Sequence, residues 1–258
     1  MKFSQVALQL YTLRDFLKTP ADIRQTLKLV REIGYPAVQA SGLGPISEAE
    51  LSEILRGEGL VLCATHEPAD VIRQTPEKVV ERLAKLNCRH TAYPFPAGVD
   101  WSKSEQVEKL VADLDRAGAV LRAAGQVLSY HNHSHELTPF GGTTALDYIY
   151  AHSRPENLQA EIDTYWIQFG GADPVAWCHK LKGRLPLLHL KDYAVKPDGQ
   201  PAFGSIGSGN LNWPAIIAAA EGSGCEWFIV EQDTTPGDPF DAVQASLDYI
   251  KANLVSAV

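Results

Sequence analysis

The chain has 258 residues, 45% of them hydrophobic and 21% charged. That length can bury a sizeable core in one large domain without disulfide staples. An excess of 31 Asp and Glu over 23 Lys and Arg gives a net charge of −8, which argues against nucleic acid as a partner, because such binders carry a basic face.

The first residues, MKFSQVALQLYTLRDF, lack a sustained apolar region and a small-residue cleavage site. They read as a first strand rather than a signal peptide. Further strand-like runs follow: Val6–Leu10, Ala37–Ala40, Val61–Thr65, His90–Tyr93, Gln126–Tyr130, Leu158–Ile162, Leu185–Leu190 and Trp227–Val230. Each is followed by a helical pattern. The first, Ala21–Ile33, has Pro20 at its start, where a missing N–H costs nothing. The second opens Ser47-Glu48-Ala49-Glu50, a capping-box spacing. The third runs from Thr75-Pro76 to Leu86 and the fourth over Ser104–Ala124. The remaining four lie near Thr144–His152, Asp173–Lys182, Trp213–Glu221 and Pro239–Asn253. Gly34, Gly57, Gly125, Gly183 and Gly222 stand where helix C-caps are expected.

Strand–helix alternation requires a parallel sheet. Eight units in about 250 residues predict a (β/α)8 TIM barrel of the α/β class, here one domain over residues 1–258. A doubly wound sheet would show a glycine-rich first turn, and Leu10-Tyr11-Thr12-Leu13-Arg14 has no glycine. No apolar stretch approaches the ~18 residues of a membrane span. Cys63, Cys88, Cys178 and Cys225 are widely spaced, which predicts reduced thiols in a cytoplasmic protein, with Cys63 in the core.

The last four strand runs each end in a polar pair spaced i, i+2: His131 and His133, Glu161 and Asp163, His189 and Lys191, Glu231 and Asp233. Residues two apart on a strand share a face, so each run points two polar groups into one space at the strand C-terminal ends, where barrel active sites form. Mixed imidazole and carboxylate ligands suit divalent Mn, Co, Zn or Fe better than Ca or Mg; one divalent metal ion is expected, with Mn, Co, Zn or Mg as candidates. Lys191 cannot ligate as an ammonium, so strand seven must offer His189, which is expected to tolerate alanine with little loss of fold. Asn132, on the opposite face, is expected to hold neighbouring backbone. Asp233 reads as a turn or cap residue. His66, Glu161, Trp166, Lys191 and Arg14 are the expected substrate contacts. The segment Gly204–Asn210 could cradle phosphate on its N–H groups. It lacks the Lys-Ser/Thr of a P-loop and reads better as a tightly turned loop at the site mouth.

The segments QLYTLRD, YHNHSHEL, AEIDTYWIQFGGADPVAW, LLHLKDY, GSGNLNWPAI and FIVEQD resemble the xylose-isomerase-like barrel superfamily, and within it the group called sugar phosphate isomerase/epimerase. The resemblance spans almost the whole chain. That superfamily includes aldose isomerases, ketose 3-epimerases, inosose dehydratases and DNA-repair endonucleases. Its ketose epimerases hold a divalent metal by Glu, Asp, His and Glu from strands five to eight. Carried over, this implies Asp163, His189 and Glu231 as ligands, with His131 where the first glutamate would stand. Trp166 replaces a histidine of the family. Only one of the two proton-transferring glutamates, Glu231, is thus kept in register.

The expected function is a metal-dependent isomerase or epimerase in carbohydrate metabolism, acting on a sugar or polyol-derived carbonyl substrate. Glu231 or His133 would move the proton next to a metal-polarised carbonyl, and Lys191 would contact substrate oxygens. A lyase or dehydratase on a keto-inositol or 3-keto-sugar is the alternative, followed by a non-catalytic sugar-binding barrel. An endonuclease would need further ligands on strands two to four, where His66 and Glu67 are the main offers. Assembly as a homo-oligomer stays open.

Overall fold

The computed structural model describes residues 1–256; residues 257 and 258 of the expected domain lie outside them. Eight parallel strands close into a barrel in chain order: β1 (Val6–Gln9), β2 (Ala37–Ala40), β3 (Val61–His66), β4 (His90–Tyr93), β5 (Val127–His131), β6 (Leu158–Asp163), β7 (Leu187–Leu190) and β8 (Trp227–Val230). Closure is direct, with Leu8 of β1 beside Val38 of β2 on one side and Val230 of β8 on the other. All eight predicted strands form, with boundaries shifted by up to two residues.

The eight predicted helices form as well, the longest over Ser104–Ala123. Thr19 caps the first, accepting from the Asp22 N–H, while Asp22 answers at the Thr19 N–H and Pro20 opens the helix. Gly34 closes it with φ +112°, a conformation that L side chains rarely adopt. Gly57 and Gly222 do not cap: both lie inside their helices, and the chain turns at Gly59 and Ser223 instead. Besides three short 3-10 helices, Phe3–Gln5, Leu10–Phe16 and His135–Leu137, four smaller features were not foreseen. They are the short helices Ala69–Gln74 and Thr164–Phe169 and two hairpins, Pro139–Phe140 with Thr143–Thr144 and Asp192–Val195 with Pro201–Gly204.

The main core lies between barrel and helices. A second, smaller core fills the barrel interior with Ala7, Ala37, Cys63, Ala64, Leu187 and Ile229. All four cysteines are free and buried. No helix among the described residues is long and apolar enough to cross a membrane.

Candidate active site and metal centre

The site grows out of that interior layer. Two residues beyond Ala7, Ala37, Ala64, Leu187 and Ile229 stand Gln9, Gln39, His66, His189 and Glu231, on the same inward face. A polar layer therefore rests directly on the apolar one. Strands β5 and β6 add His131 and Glu161, which face each other in register, and Asp163 is level with His189.

Glu161 is fully buried at the centre of this layer. Its Oε1 accepts from Gln39 Nε2 at 2.6 Å and its Oε2 from His66 Nε2, also at 2.6 Å. His131 Nδ1 and His189 Nε2 approach the same Oε2 at 3.2 and 3.4 Å. Burial pushes the carboxyl upward, but the surrounding imidazoles win and hold it well below its ordinary range. Glu161 was expected at the substrate. It lies instead beneath the pocket with both oxygens engaged.

One layer higher, Lys191 is almost fully buried among three carboxylates. Its Nζ lies 2.9 Å from Asp163 Oδ2, 2.7 Å from Glu231 Oε2 and 3.0 Å from Asp233 Oδ1. Burial disfavours the ammonium, yet the three anions outweigh it and keep Lys191 charged. Burial likewise raises Asp163, to about 6. Glu231 is held well below its ordinary range despite burial, by Lys191 and His189. His189 donates from Nδ1 to Glu231 Oε2 at 2.9 Å and from Nε2 to Gln39 Oε1 at 2.7 Å. Burial opposes the imidazolium, but Glu161 and Glu231 raise it to about 10. His131 is lowered to about 3, first by burial and then by His189, and His133 to about 2, first by burial and then by His131 and Lys191.

Ligand-capable atoms of His131, Asp163, His189 and Glu231 all lie within 4.8 Å of one another, and so do those of His66, His131, Glu161 and His189. The first of these groups is the set expected from the strand ends. Asp163 suits a ligand role: its Oδ1 caps the next helix by accepting from the Trp166 N–H at 3.0 Å, its own N–H donates to Asn132 Oδ1, and its buried Oδ2 is turned to the site, with Lys191 Nζ 2.9 Å away. Asn132 thus holds backbone as expected.

A cavity of about 420 Å³ opens above, within the ~300–1,000 Å³ range of small-molecule sites. His131, His133, Lys191, Glu231 and Asp233 reach its floor and walls, with Tyr11, Arg14, His66 and Phe95 around them. Asp233 is therefore a pocket residue rather than a simple turn residue. Arg14 is fastened at the mouth, donating to the carbonyls of Tyr11 and Asp233, both at 3.0 Å. The Trp166 ring packs 5.4 Å from that of His133, with Lys191 Nζ 5.7 Å from its centroid.

Two functional residues escaped the sequence reading. Glu136 is fully buried and accepts from the Tyr130 hydroxyl and the His133 N–H, both at 2.9 Å, which fixes the loop carrying His133. Burial raises its carboxyl to about 7. Asp192 is the other. The N–H groups of Gly207 and Gly209 donate to its Oδ2 at 2.8 and 3.0 Å, and Trp213 Nε1 adds a third bond at 2.9 Å. The glycine-rich loop thus wraps an internal carboxylate, which occupies the donors a phosphate would need. Gly209 is tight enough that a Cβ would meet Asp192 Oδ1 at 2.4 Å.

A family model described as a xylose isomerase-like TIM barrel matches residues 27–253. The chain belongs to the xylose isomerase-like TIM barrel family. This xylose isomerase-like barrel superposes on a sugar phosphate isomerase/epimerase from Parabacteroides distasonis ATCC 8503 with a TM-score of 0.80, at 22% identity, covering 97% of this chain and 95% of that one. An L-ribulose 3-epimerase superposes with a TM-score of 0.73 at 16% identity, over 100% and 99% of the two chains. Over 58% of its length the chain aligns at 24% identity with an inosose dehydratase of Lacticaseibacillus casei, spanning 55% of that protein. The chain thus covers about half the length of the curated relatives it matches.

Proposed function

We propose that this chain is a divalent-metal-dependent isomerase or epimerase of a sugar-derived carbonyl compound. One observation carries the reading: the buried His131, Asp163, His189 and Glu231, with ligand atoms within 4.8 Å of one another, below a pocket that presents proton-transfer groups. These four would hold the cation. When bound, it supplies a Lewis acid to a substrate carbonyl and neighbouring hydroxyl. Lys191 and His189 both hold Glu231 Oε2, so Oε1 is the oxygen left to take the proton next to the carbonyl. His133, a neutral imidazole on the pocket wall, is the other group able to move a proton. Lys191 orients substrate oxygens, with Arg14 and His66 lining the space; Trp166, expected there, packs behind His133 instead of lining the cavity. The net charge of −8 and the small cavity favour a small molecule over nucleic acid, and four buried unpaired thiols favour a cytoplasmic setting.

Elimination of water from a keto-inositol or 3-keto-sugar is the second reading, and a specific arrangement favours it. Both carboxylates that line the pocket, Glu231 and Asp233, follow β8, whereas His66, His131, His133 and Phe95 come from or follow β3 to β5. Carboxylates thus stand on one side only, which suits a single-face route better than inversion at one carbon. The inosose dehydratase relatives point the same way.

The test is metal analysis of the purified protein followed by incubation with keto-sugars and inososes in deuterated water. Metal-dependent deuterium incorporation is expected, and the product separates isomer from dehydrated ketone. Turnover unaffected by chelation, or no turnover with bound metal, rejects the reading.

A further inference from the structure

The two four-residue groups share His131 and His189, and they use opposite nitrogens of each ring. Toward Asp163 and Glu231 the rings present His131 Nε2, 3.8 Å from Asp163 Oδ2, and His189 Nδ1, 2.9 Å from Glu231 Oε2. Toward Glu161 and His66 they present His131 Nδ1 and His189 Nε2. A neutral imidazole has one lone-pair nitrogen. Only one of the two groups can therefore take a cation through both rings, and the proton positions decide which.

Those positions follow from an amide. Gln39 must turn its NH2 toward the Glu161 carboxylate, 2.6 Å away, so its Oε1 faces the other way. That Oε1 accepts from Gln9 Nε2 at 2.9 Å and lies 2.7 Å from His189 Nε2. A carbonyl oxygen at that distance requires a proton on His189 Nε2, so the proton a cation displaces is the one that Nδ1 donates to Glu231 Oε2. Gln9 Nε2 also approaches His66 Nδ1 at 3.4 Å, so the His66 proton is on Nε2, the nitrogen facing Glu161. His131 Nδ1 faces the same carboxylate oxygen at 3.2 Å, off the line of an ideal hydrogen bond, and as a donor there it leaves Nε2 open. Gln9, Gln39 and Glu161 are all fully buried, so water cannot rewrite this pattern.

We propose that Glu161, oriented with Gln39 and His66, is a positioning residue whose carboxylate keeps the protons on the lower nitrogens of His131 and His189 and so commits their upper nitrogens to a cation on the Asp163–Glu231 side. This rests on the metal-site reading above, and it assigns Glu161 a place beneath the cation rather than around it. Carboxylates that accept from the distal N–H of ligating histidines are a general device for fixing ring orientation and basicity, and their removal costs about 10–100-fold in metal affinity.

The test uses the full chain with 15N-labelled histidine, loaded with Zn²⁺ alone, and long-range 1H–15N correlation spectra. The expected pattern is Zn²⁺ on Nε2 of His131 and Nδ1 of His189, with protons on the other two nitrogens. Zn²⁺ on Nδ1 of His131 and Nε2 of His189 would place the cation among His66 and Glu161 and overturn the proposal. Glu161→Gln should fold, keep the metal stoichiometry and lose about 10–100-fold in Zn²⁺ affinity by competition with a chelator. An unchanged affinity also overturns it. Should Glu161→Gln fail to fold, the spectra of the parent protein still decide. If the parent binds no Zn²⁺, the metal reading fails separately, and the metal-free spectrum decides instead: His131 protonated on Nδ1 upholds the positioning role, on Nε2 it refutes it.

Discussion

Lys191→Met is the perturbation that separates a neutralising ammonium from a passive core side chain. Methionine keeps most of the stem volume and removes the charge. The ammonium touches three carboxylates at 2.7 to 3.0 Å, two of them buried. At an effective dielectric of about 20, each contact is worth about 5–6 kcal/mol before desolvation. Desolvation of the ammonium cancels most of that, and removing one partner of a buried pair costs about 3–5 kcal/mol net. The expected loss in urea denaturation with EDTA at pH 7.5 is therefore about 3–5 kcal/mol. It should shrink toward pH 5, because Asp163, raised to about 6, then takes up a proton and no longer needs the ammonium. Saturating Mn²⁺ should restore stability more in the variant than in the parent, since the cation takes over the neutralisation of Asp163 and Glu231. Metal at 100 times its Kd contributes about 2.7 kcal/mol. A loss below about 1 kcal/mol in EDTA, or the same loss with and without metal, would refute the reasoning.

His189→Ala should abolish metal binding. In contrast to the sequence expectation it should also destabilise the metal-free protein by about 3–5 kcal/mol, because the imidazolium sits fully buried between Glu161 and Glu231; an unchanged Tm in EDTA would show that neither carboxylate depends on it. Glu231→Gln, loaded with metal, should lose nearly all exchange of the substrate's α-proton by NMR, and His133→Ala should lose less, on the order of the 10²–10⁴-fold that acid–base catalysis provides at most. The reverse order would make His133 the base. Glu136 is raised from 4.5 to about 7 in the fold, so it binds its proton more tightly folded than unfolded. Its penalty is absent below pH 4.5, grows as pH rises to 7 and is constant above, reaching about 3 kcal/mol at most. Glu136→Gln should therefore gain stability at pH 8 relative to pH 5 in EDTA, and a pH-independent difference between the two proteins would contradict this.

Alternation of strand and helix carried the fold, and the i, i+2 pairs pointed to the side chains that converge at the barrel mouth, because both patterns are local consequences of backbone geometry. His131, Asp163, His189 and Glu231 meet as their positions in the strands predicted. What escaped was set by partners distant in sequence. Gln9 and Gln39 fall at strand ends in the sequence, but no role attaches to them there, because that role depends on the Glu161 carboxylate lying 122 residues from Gln39. Glu136 lies in a loop whose route no periodicity fixes. Asp192 follows Lys191 directly and so points away from the pocket, into the Gly204–Asn210 loop that only the fold brings near.

The same spacing also explains why Glu161 was misplaced at the substrate. Residues i and i+2 share a face, but they stand about 6–7 Å apart along the strand. The pairs therefore supply two floors rather than one ring. Glu161 belongs to the lower floor with Gln39 and His66, Asp163 and Lys191 to the upper one, and His131 and His189 bridge them through their two nitrogens. A lower floor that accepts hydrogen bonds from the bridging rings keeps the protons on that side and turns their other nitrogens to the upper floor, where the cavity opens. The sequence pattern could name every member of this arrangement on the last four strands. It could not say which member of each pair meets the substrate, because strand stagger in the closed barrel sets the height of each pair relative to its neighbours.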